Sequence, residues 1–217
     1  MIDTEPSKIK VVNMGITSYK EVWDLQKKLQ KQRISGNIED TIILTEHDAV
    51  YTLGKNASAN HLLQNRDMNV DVFHVERGGD VTFHGPGQLV GYPIINLKDY
   101  RPSITWYMRT LEQVIIDTLS DFSISADRRR GLTGVWVEDE KIAAMGVRIS
   151  RWVTMHGFSI NVSPDLKFYD GIIPCGVFEY GVTSMKELGF GQKDMGLVKS
   201  NLLNNFFKYF SKTTADG

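Results

Sequence analysis

Apolar residues recur along this chain at two different spacings, which together predict a mixture of helices and strands. From residue 19 to residue 33 the apolar side chains fall at the spacing of an amphipathic helix, at Val22, Trp23, Leu25 and Leu29. Ser18 precedes this stretch as an N-cap, and Glu21 stands three residues further on, as in a capping box. The sequence therefore predicts a first helix over residues 19–33.

Two later stretches show the same helical spacing. Ser103 is the predicted N-cap of a second helix, whose apolar stripe comprises Trp106, Leu111, Val114, Ile115 and Leu119. The third helix is predicted over residues 195–210, where the apolar stripe comprises Val198, Leu202, Leu203, Phe206, Phe207 and Phe210. Both stripes are interpreted as core.

Short apolar runs between these helices predict strands. They cover residues 9–12, 41–45, 49–53, 70–75, 89–97 and 156–162, and a hairpin is predicted from residues 135–137 and 142–149. Pro93 lacks the N–H that a sheet requires, so it predicts an edge position or a bulge. No repeat or linker interrupts the pattern. We therefore expect one α/β domain with a mixed sheet, spanning residues 1–217.

Residues 77–88 interrupt the alternation of strands with a glycine-rich loop. Four glycines and one proline argue against a long helix or a plain strand there. Glycine lets another molecule approach exposed backbone N–H groups, and Arg77, Thr82, His84 and Gln88 add a cation, a titratable ring and donors. A ligand-binding loop is favoured over a solvated turn, since long structured loops are often functional.

Composition narrows the classes of function. The chain has 217 residues, a formal net charge of −1 and a single cysteine. A nearly neutral chain predicts no general attraction to nucleic acid or to a membrane surface, and no apolar run approaches the length of a membrane span. One cysteine excludes an internal disulfide, and the N-terminus lacks a signal pattern, so a reducing cytoplasmic location is expected.

Cys175 is the only candidate for covalent catalysis through sulfur. It stands between proline and glycine, which predicts a tight turn, although a buried structural cysteine is an equal alternative. A thiol needs a base or a cation beside it to react at neutral pH. Lys141 is a candidate for that role because strand parity places it on one face with Ala143, Met145 and Val147. The alternative is a hairpin-edge lysine that points into solvent.

His84 and His156 are the alternative candidate bases. His84 belongs to the glycine-rich loop, whereas His156 shares strand parity with Phe158 and could be a hydrogen-bonded core histidine. No metal-ligand spacing is found among the five histidines and one cysteine, so no metal site is predicted. The basic triplet Arg128-Arg129-Arg130 is interpreted as a solvated turn, with docking of an acidic partner as the alternative.

Separate blocks of the sequence resemble, in order, the signature of the lipoyl(octanoyl) transferase (LipB) family. The most specific block is Arg77-Gly78-Gly79-x-x-Thr82-x-His84-Gly85-Pro86-Gly87-Gln88. The others include Tyr51-Thr52-Leu53-Gly54, Thr133-Gly134-Val135-Trp136-Val137, Lys141-Ile142-Ala143-Ala144-Met145-Gly146, His156-Gly157 and Ile173-Pro174-Cys175-Gly176. They extend over residues 41–188, and their agreement is more specific than any one block.

The resemblance implies a fold, an activity and roles for single residues. The implied fold is the α/β catalytic domain of biotin and lipoate protein ligases. The implied activity moves an octanoyl group from octanoyl-acyl carrier protein to a lysine of lipoyl domains, those of 2-oxoacid dehydrogenase E2 subunits and glycine cleavage H protein. Cys175 corresponds to the nucleophile and Lys141 to its activating lysine, with His156 in support. The implied substrate-binding residues are Arg77, Gly78, Gly79, Asp80, Val81, Thr82, Phe83, His84, Ala144, Met145, Gly146, Gly157, Phe158 and Ser159.

An acyl-Cys175 intermediate follows from these roles, and neither ATP nor a metal or other cofactor is expected. Gly146 and Gly157 are expected to leave room for the eight-carbon chain. Three other functions stay open: an ATP-dependent lipoate-protein ligase, an amidotransferase that moves octanoyl between lipoyl domains, and a non-catalytic protein that binds lipoyl domains.

Overall fold

The computed structural model describes residues 9–173, 180–190 and 194–211, and its central feature is a mixed sheet of seven strands. These are β1 (Lys10–Thr17), β2 (Thr41–His47), β6 (Gln88–Ile94), β7 (Val135–Val137), β8 (Glu140–Ser150), β9 (Val153–Asn161) and β10 (Gly181–Val182). Their order is β1-β2-β6-β9-β8-β10, with β7 paired to β8. The β1–β2 and β8–β10 pairs are parallel and the others antiparallel. The predicted α/β fold with a mixed sheet is confirmed.

A second sheet has three strands in the order β4-β3-β5. They are β3 (Val50–Leu53), β4 (Asp71–His74) and β5 (Val81–His84). β5 lies inside the glycine-rich loop, so the expectation that no plain strand runs through that loop was wrong. The reason is a two-residue alternation that the glycines obscured: Val81 and Phe83 are both buried and pack with Tyr51 and Leu53 of β3.

Three helices cover the seven-stranded sheet: α1 (Tyr19–Ile34), α2 (Ile104–Ser120) and α3 (Met195–Tyr209). The predicted N-caps are confirmed, because Ser18 Oγ accepts the Glu21 N–H at 3.4 Å and Ser103 Oγ accepts the Trp106 N–H at 3.3 Å. None of the described helices combines the length and the apolar character that crossing a membrane requires.

The helices lie on both faces of the sheet. Ile42 and Leu44 of β2 belong to the main core together with α2 and α3, whereas Ile43 between them packs against Val22 of α1. With helices on both faces, β2 buries all of its side chains except Glu46, which explains the continuous apolar run in its sequence.

Pro93 stands in an interior strand, so the edge position, one of the two alternatives predicted for it, was wrong. It pairs with Ile42 of β2 on one side. On its other side the ladder between β6 and β9 ends at the Gly91–Phe158 pair, two residues earlier. The missing N–H of proline is therefore tolerated because it coincides with an interruption of the sheet.

Amide side chains of α1 satisfy the β9 backbone at this interruption. Gln26 Oε1 accepts the His156 N–H at 2.9 Å, and Gln30 Nε2 donates to the Val153 carbonyl at 2.9 Å. Both glutamines are buried, although a helix pattern based on apolar residues places them outside the core. The interruption matters for the site because β9 carries His156 and Gly157.

Candidate functional site

A cavity of about 530 Å³ lies along β8 and β9 and beside the glycine-rich loop. Two of the predicted substrate-binding segments form neighbouring parts of its wall, since Ala144, Met145 and Gly146 pair directly with Ser159, Phe158 and Gly157. The size is that of a typical small-molecule site. The cross-strand register therefore brings together segments that are eleven or more residues apart in the sequence.

The glycine-rich loop closes one side of the cavity by bonding to the end of β8. The Gly78 N–H donates to the Val147 carbonyl at 3.0 Å. A Cβ on Gly146 would lie 2.7 Å from the Gly78 carbonyl oxygen, and one on Gly157 would overlap the Gly91 carbonyl oxygen. The expectation that these glycines leave room for a ligand was therefore wrong: backbone atoms occupy the space.

Arg77 holds the loop on the smaller sheet. Its Nη2 donates to the Thr52 carbonyl at 2.7 Å and to Thr52 Oγ1 at 2.9 Å, and its Nη1 donates to the Gly78 carbonyl at 3.0 Å. The side chain is buried and also lines the cavity. Through these three bonds to neutral oxygens, the Arg77 guanidinium fixes the position of the loop.

Lys141 lies on the cavity wall and only 8% of the residue is exposed. Ala143, Met145 and Val147 line the same cavity, as strand parity predicts. The Lys141 Nζ atom is 4.7 Å from the centre of the Trp136 ring, within the range of a cation–π interaction. The alternative of a solvent-pointing hairpin lysine is thus wrong.

The predicted nucleophile Cys175 lies outside the described residues, so its contact with Lys141 stays a prediction. The described chain before it ends at Ile173, whose N–H donates to the His61 carbonyl at 2.8 Å. The chain resumes at Tyr180, whose ring meets the Trp136 ring edge-on at 5.3 Å. Trp136 therefore contacts both Lys141 and the residue at which the chain resumes.

His84 lines the cavity, and the Gln88 amide determines which of its ring nitrogens carries the proton. Gln88 Nε2 shares its two hydrogens among three nearby acceptors, the Phe83 carbonyl, Asn161 Oδ1 and the Tyr169 hydroxyl. Gln88 Oε1 must therefore accept from His84 Nδ1, 2.7 Å away. Burial, followed by the neighbouring His47, lowers the pKa of His84 to about 3, so the ring is neutral and Nε2 is an acceptor.

The sequence analysis missed two residues whose rings lie against that of His84, namely Tyr19 and His47. Tyr19 lines the cavity and its ring stacks on that of His84, 6.0 Å away. His47 Nδ1 donates to the Thr17 carbonyl at 3.0 Å, which leaves Nε2 to accept from the Tyr92 hydroxyl at 2.8 Å. Burial lowers the pKa of His47 to about 4. No local motif marks Tyr19 or His47, because only the fold places Tyr19 on the cavity wall and His47 against the His84 ring.

His156 differs from the other polar residues of the wall in its burial, its backbone conformation and its hydrogen bonding. It is 1% exposed, its backbone has φ of 59°, and neither ring nitrogen has a hydrogen-bond partner among the described residues. Glu76 Oε2 is 3.8 Å from Nε2, beyond direct hydrogen-bond range. Burial, followed by the charge of Arg77, lowers the pKa of His156 to about 4. A buried polar side chain without a hydrogen bond, on a strained backbone beside a cavity, is typical of functional sites.

The other predicted site residues are distributed as follows. All of those in the described ranges line the cavity except Phe83, namely Arg77, Gly78, Gly79, Asp80, Val81, Thr82, His84, Lys141, Ala144, Met145, Gly146, His156, Gly157, Phe158 and Ser159. Phe83 is buried in the second core, where its ring stacks on Phe168 at 4.6 Å. Asp80 Oδ2 lies 2.5 Å from His61 Nδ1. Within residues 9–173, 180–190 and 194–211, no three acidic or histidine side chains converge to hold a metal ion.

The basic triplet is largely engaged within the protein. Arg128 Nε donates to Glu112 Oε2 at 2.9 Å. Arg129 pairs with Asp139, and its guanidinium lies 4.4 Å from the centre of the Tyr180 ring. Arg130 is exposed. The interpretation as a solvated turn therefore applies to one of the three arginines.

Comparison with known proteins shows which proteins this chain resembles. The family model of the lipoyl protein ligase A/B catalytic domain matches residues 18–207. The chain is 48% identical over 168 residues to the octanoyltransferase of Gloeobacter violaceus, which covers 77% of this chain and 75% of that protein.

Two solved structures share the fold. The bipartite lipoate protein ligase of Thermoplasma acidophilum has a TM-score of 0.69 at 14% identity, covering 96% of this chain and 86% of that one. Aquifex aeolicus biotin protein ligase has a TM-score of 0.54 at 14% identity, covering 94% and 69%. The fold implied by the family resemblance is confirmed.

Proposed function

The chain belongs to the lipoyl protein ligase A/B catalytic-domain family and is an acyltransferase, and we propose that it transfers an octanoyl group from octanoyl-acyl carrier protein to a lysine of lipoyl domains. The observation that carries the proposal is the amine of Lys141, buried on the wall of a cavity that the family's substrate segments line. The acceptors are the lipoyl domains of 2-oxoacid dehydrogenase E2 subunits and glycine cleavage H protein.

The first half-reaction loads the enzyme. The Lys141 amine takes the proton of the Cys175 thiol, and the resulting ammonium stabilises the thiolate. The sulfur attacks the octanoyl thioester carbonyl of the carrier protein, and the bond from that carbonyl to the carrier sulfur breaks. The departing thiolate recovers the proton from Lys141. One thioester replaces another, so no large free-energy change is involved.

The second half-reaction delivers the acyl group. The Lys141 amine accepts a proton as the lipoyl-domain amine attacks the acyl-Cys175 carbonyl, and the Cys175 sulfur leaves as a thiolate. An amide is more stable than a thioester, so the sequence of steps runs forward without ATP. In this proposal, octanoylation is the first step of lipoylation on these domains. A lone cysteine needs a reducing compartment, and we expect the enzyme to work in the cytoplasm.

Apolar atoms of the wall hold the acyl chain. Met145, Val147 and Phe158 line the cavity between Lys141 and its other end. Each buried CH₂ contributes about 0.8 kcal/mol to binding, so an eight-carbon chain supplies several kcal/mol. That binding energy positions the thioester carbonyl beside Lys141.

A comparison of donors tests the proposal. Purified enzyme is incubated with a lipoyl domain and one of three donors: octanoyl-acyl carrier protein, free octanoate with ATP, or an octanoylated lipoyl domain of different mass. We expect the acceptor to gain one octanoyl group from the carrier protein alone. Transfer only from octanoate with ATP would make the protein a ligase, and transfer only between lipoyl domains would make it an amidotransferase.

A further inference from the structure

The side chain of Lys141 lies against Gly134 and against the indole ring of Trp136. A Cβ on Gly134 would lie 3.2 Å from Lys141 Cε and 3.5 Å from Cδ, so the lysine stem borders the space that another residue would fill. Gly134 has φ of 132°, a conformation that favours glycine. Trp136 pairs directly with Lys141 across the β7–β8 ladder, which places the ring centre 4.7 Å from Nζ. The lysine is therefore in contact along its length, from Cδ to Nζ.

Trp136 is itself fixed by its backbone and by neighbouring side chains. Its N–H donates to the Asp127 carbonyl and its carbonyl accepts the Asp127 N–H, both at 2.8 Å. The Tyr180 ring meets the indole edge-on at 5.3 Å, and the Arg129 guanidinium lies 4.4 Å from the centre of the Tyr180 ring. Trp136 is also buried. The indole is therefore a fixed surface for the more flexible lysine.

A buried carboxylate fixes Gly134 in a similar way. The Gly134 N–H donates to Glu112 Oε1 at 3.3 Å. Glu112 Oε2 accepts from Arg109 Nη1 at 2.7 Å and from Arg128 Nε at 2.9 Å. Because Glu112 belongs to α2, these bonds anchor the start of β7, and with it the surface that Lys141 contacts, to a helix of the main core.

Trp136 contacts Lys141 from outside the cavity. It is not one of the described residues that line the cavity, and it lines instead a separate groove with Ile124 and Phe190. A change at Trp136 should therefore affect the reaction through Lys141 and not through contact with the acyl chain.

We propose that Trp136 is a positioning residue of this site: the face of its ring holds the Lys141 amine where it exchanges a proton with the Cys175 thiol and with the acceptor amine. The inference rests on the proposed function. Lysine has a flexible four-carbon stem, so an amine without this contact samples many orientations. The ring attracts the ammonium form, which is the form that stabilises the thiolate, and this attraction is stronger where water is excluded.

The direct test measures the rate at which iodoacetamide labels Cys175 near neutral pH, a readout that needs no acyl donor. Trp136→Leu keeps an apolar side chain and removes the aromatic ring, so the rate should fall by between about threefold and thirtyfold. Trp136→Phe keeps a ring and loses no hydrogen bond, since the indole N–H has no partner among the described residues. Its rate should exceed that of Trp136→Leu by at least about twofold. Labelling of Trp136→Leu at the wild-type rate, or equal rates in the two variants, overturns the inference.

The same substitution in a Lys141→Ala background tests whether Trp136 acts through the lysine. There, Trp136→Leu should change the labelling rate by less than about twofold, because the amine on which the ring acts is gone. An equal loss with and without the lysine overturns the inference and makes Trp136 a structural residue only.

Steady-state kinetics separate positioning from substrate binding. For transfer from octanoyl-acyl carrier protein, Trp136→Leu should lower kcat by at least about threefold and change KM by less than about twofold, since Trp136 does not line the cavity. A rise in KM with an unchanged kcat overturns the inference.

Fluorinated tryptophan tests the same role without a substitution that could prevent folding. Fluorine withdraws electron density from the ring and weakens its attraction for a cation, so wild-type protein made with a difluorinated tryptophan should be labelled at least about twofold more slowly. Trp136→Phe made in the same way keeps the other tryptophans and is the control, whose rate should not change. Equal rates with and without fluorine in the wild type overturn the inference alone if the enzyme transfers octanoyl. Absence of octanoyl transfer by the unaltered enzyme overturns the proposed function.

Discussion

At the scale of single residues, the chemistry of this site depends on which polar groups are buried and on how each is satisfied. Lys141 could be predicted from the sequence because strand parity gives the face on which it lies. Gln26 could not, since its role is to satisfy a β9 backbone N–H that only the tertiary fold exposes. Tyr19 and His47 were missed because only the tertiary fold brings their rings next to His84. Burial lowers the pKa values of His47, His84 and His156 and keeps their rings neutral, so the stability of the fold depends on pH.

Folding stability should fall as the pH decreases below about 6.5. The pKa of His47 is about 4 in the folded protein and about 6.5 when unfolded, so the unfolded chain binds more protons between these values. His47 alone should lower the free energy of unfolding by about 2 kcal/mol between pH 7.5 and pH 5. Urea unfolding at both pH values measures this.

His47→Gln is the matched variant, since an amide can also donate to Thr17 and accept from Tyr92. It should reduce the difference in unfolding free energy between the two pH values by about 2 kcal/mol. An unfolding free energy of the wild type that does not change from pH 7.5 to pH 5 would contradict the neutral state assigned to these rings.

Lys141 should control the reactivity of the Cys175 thiol. With Lys141→Ala, the rate of iodoacetamide labelling of Cys175 near neutral pH should fall by at least about tenfold, because the base and cation are both lost. Lys141→Arg keeps a cation that does not deprotonate, so labelling should exceed that of Lys141→Ala while octanoyl transfer stays low. Labelling at the wild-type rate in Lys141→Ala would remove Lys141 from the proposed mechanism.

At the scale of elements, the site depends on the close approach of the glycine-rich loop to β8. The sequence predicted both elements but not their contact. The Gly146–Gly78 approach needs the bond from the Gly78 N–H to the Val147 carbonyl, which joins residues distant in sequence. The strand β5 was hidden within the loop because its glycine and proline neighbours masked a short alternation of four residues.

Gly146→Ala should disturb this contact. The new methyl group would lie 2.7 Å from the Gly78 carbonyl oxygen, so the loop must shift, at a cost of about 1–3 kcal/mol of unfolding free energy. Gly78→Ala is the matched control for stability, because its Cβ would lie 3.7 Å from the Val147 carbonyl oxygen, an ordinary contact. Denaturant unfolding compares them, and equal stabilities of the two variants would contradict the packing described here.

At the scale of the whole molecule, helices on both faces of one sheet hold the cavity walls in place. This arrangement was largely predictable, since the three amphipathic stripes and the apolar runs mark the layers. What could not be predicted was the division of strands into two sheets and the interruption of the β6–β9 ladder beside Pro93. Those features depend on pairing between distant segments, about which local propensity carries no information.

The last helix should be essential to the main core. Phe206→Ala should lower the free energy of unfolding by about 3–5 kcal/mol, because its ring is fully buried and stacks on Phe210 at 4.5 Å. Phe207→Ala, at a partly exposed position of the same helix, should cost clearly less. Thermal or denaturant unfolding measures both, and similar losses would show that α3 does not pack as described.

The most direct test of the account is the mass of the enzyme after exposure to its donor. Enzyme incubated with octanoyl-acyl carrier protein, without a lipoyl domain, should gain the mass of one octanoyl group, and the adduct should disappear when a lipoyl domain is added. Cys175→Ala should gain no mass under the same conditions. An octanoyl adduct formed at normal stoichiometry on Cys175→Ala, or a wild-type enzyme that transfers octanoyl without ever carrying it, would contradict the covalent mechanism.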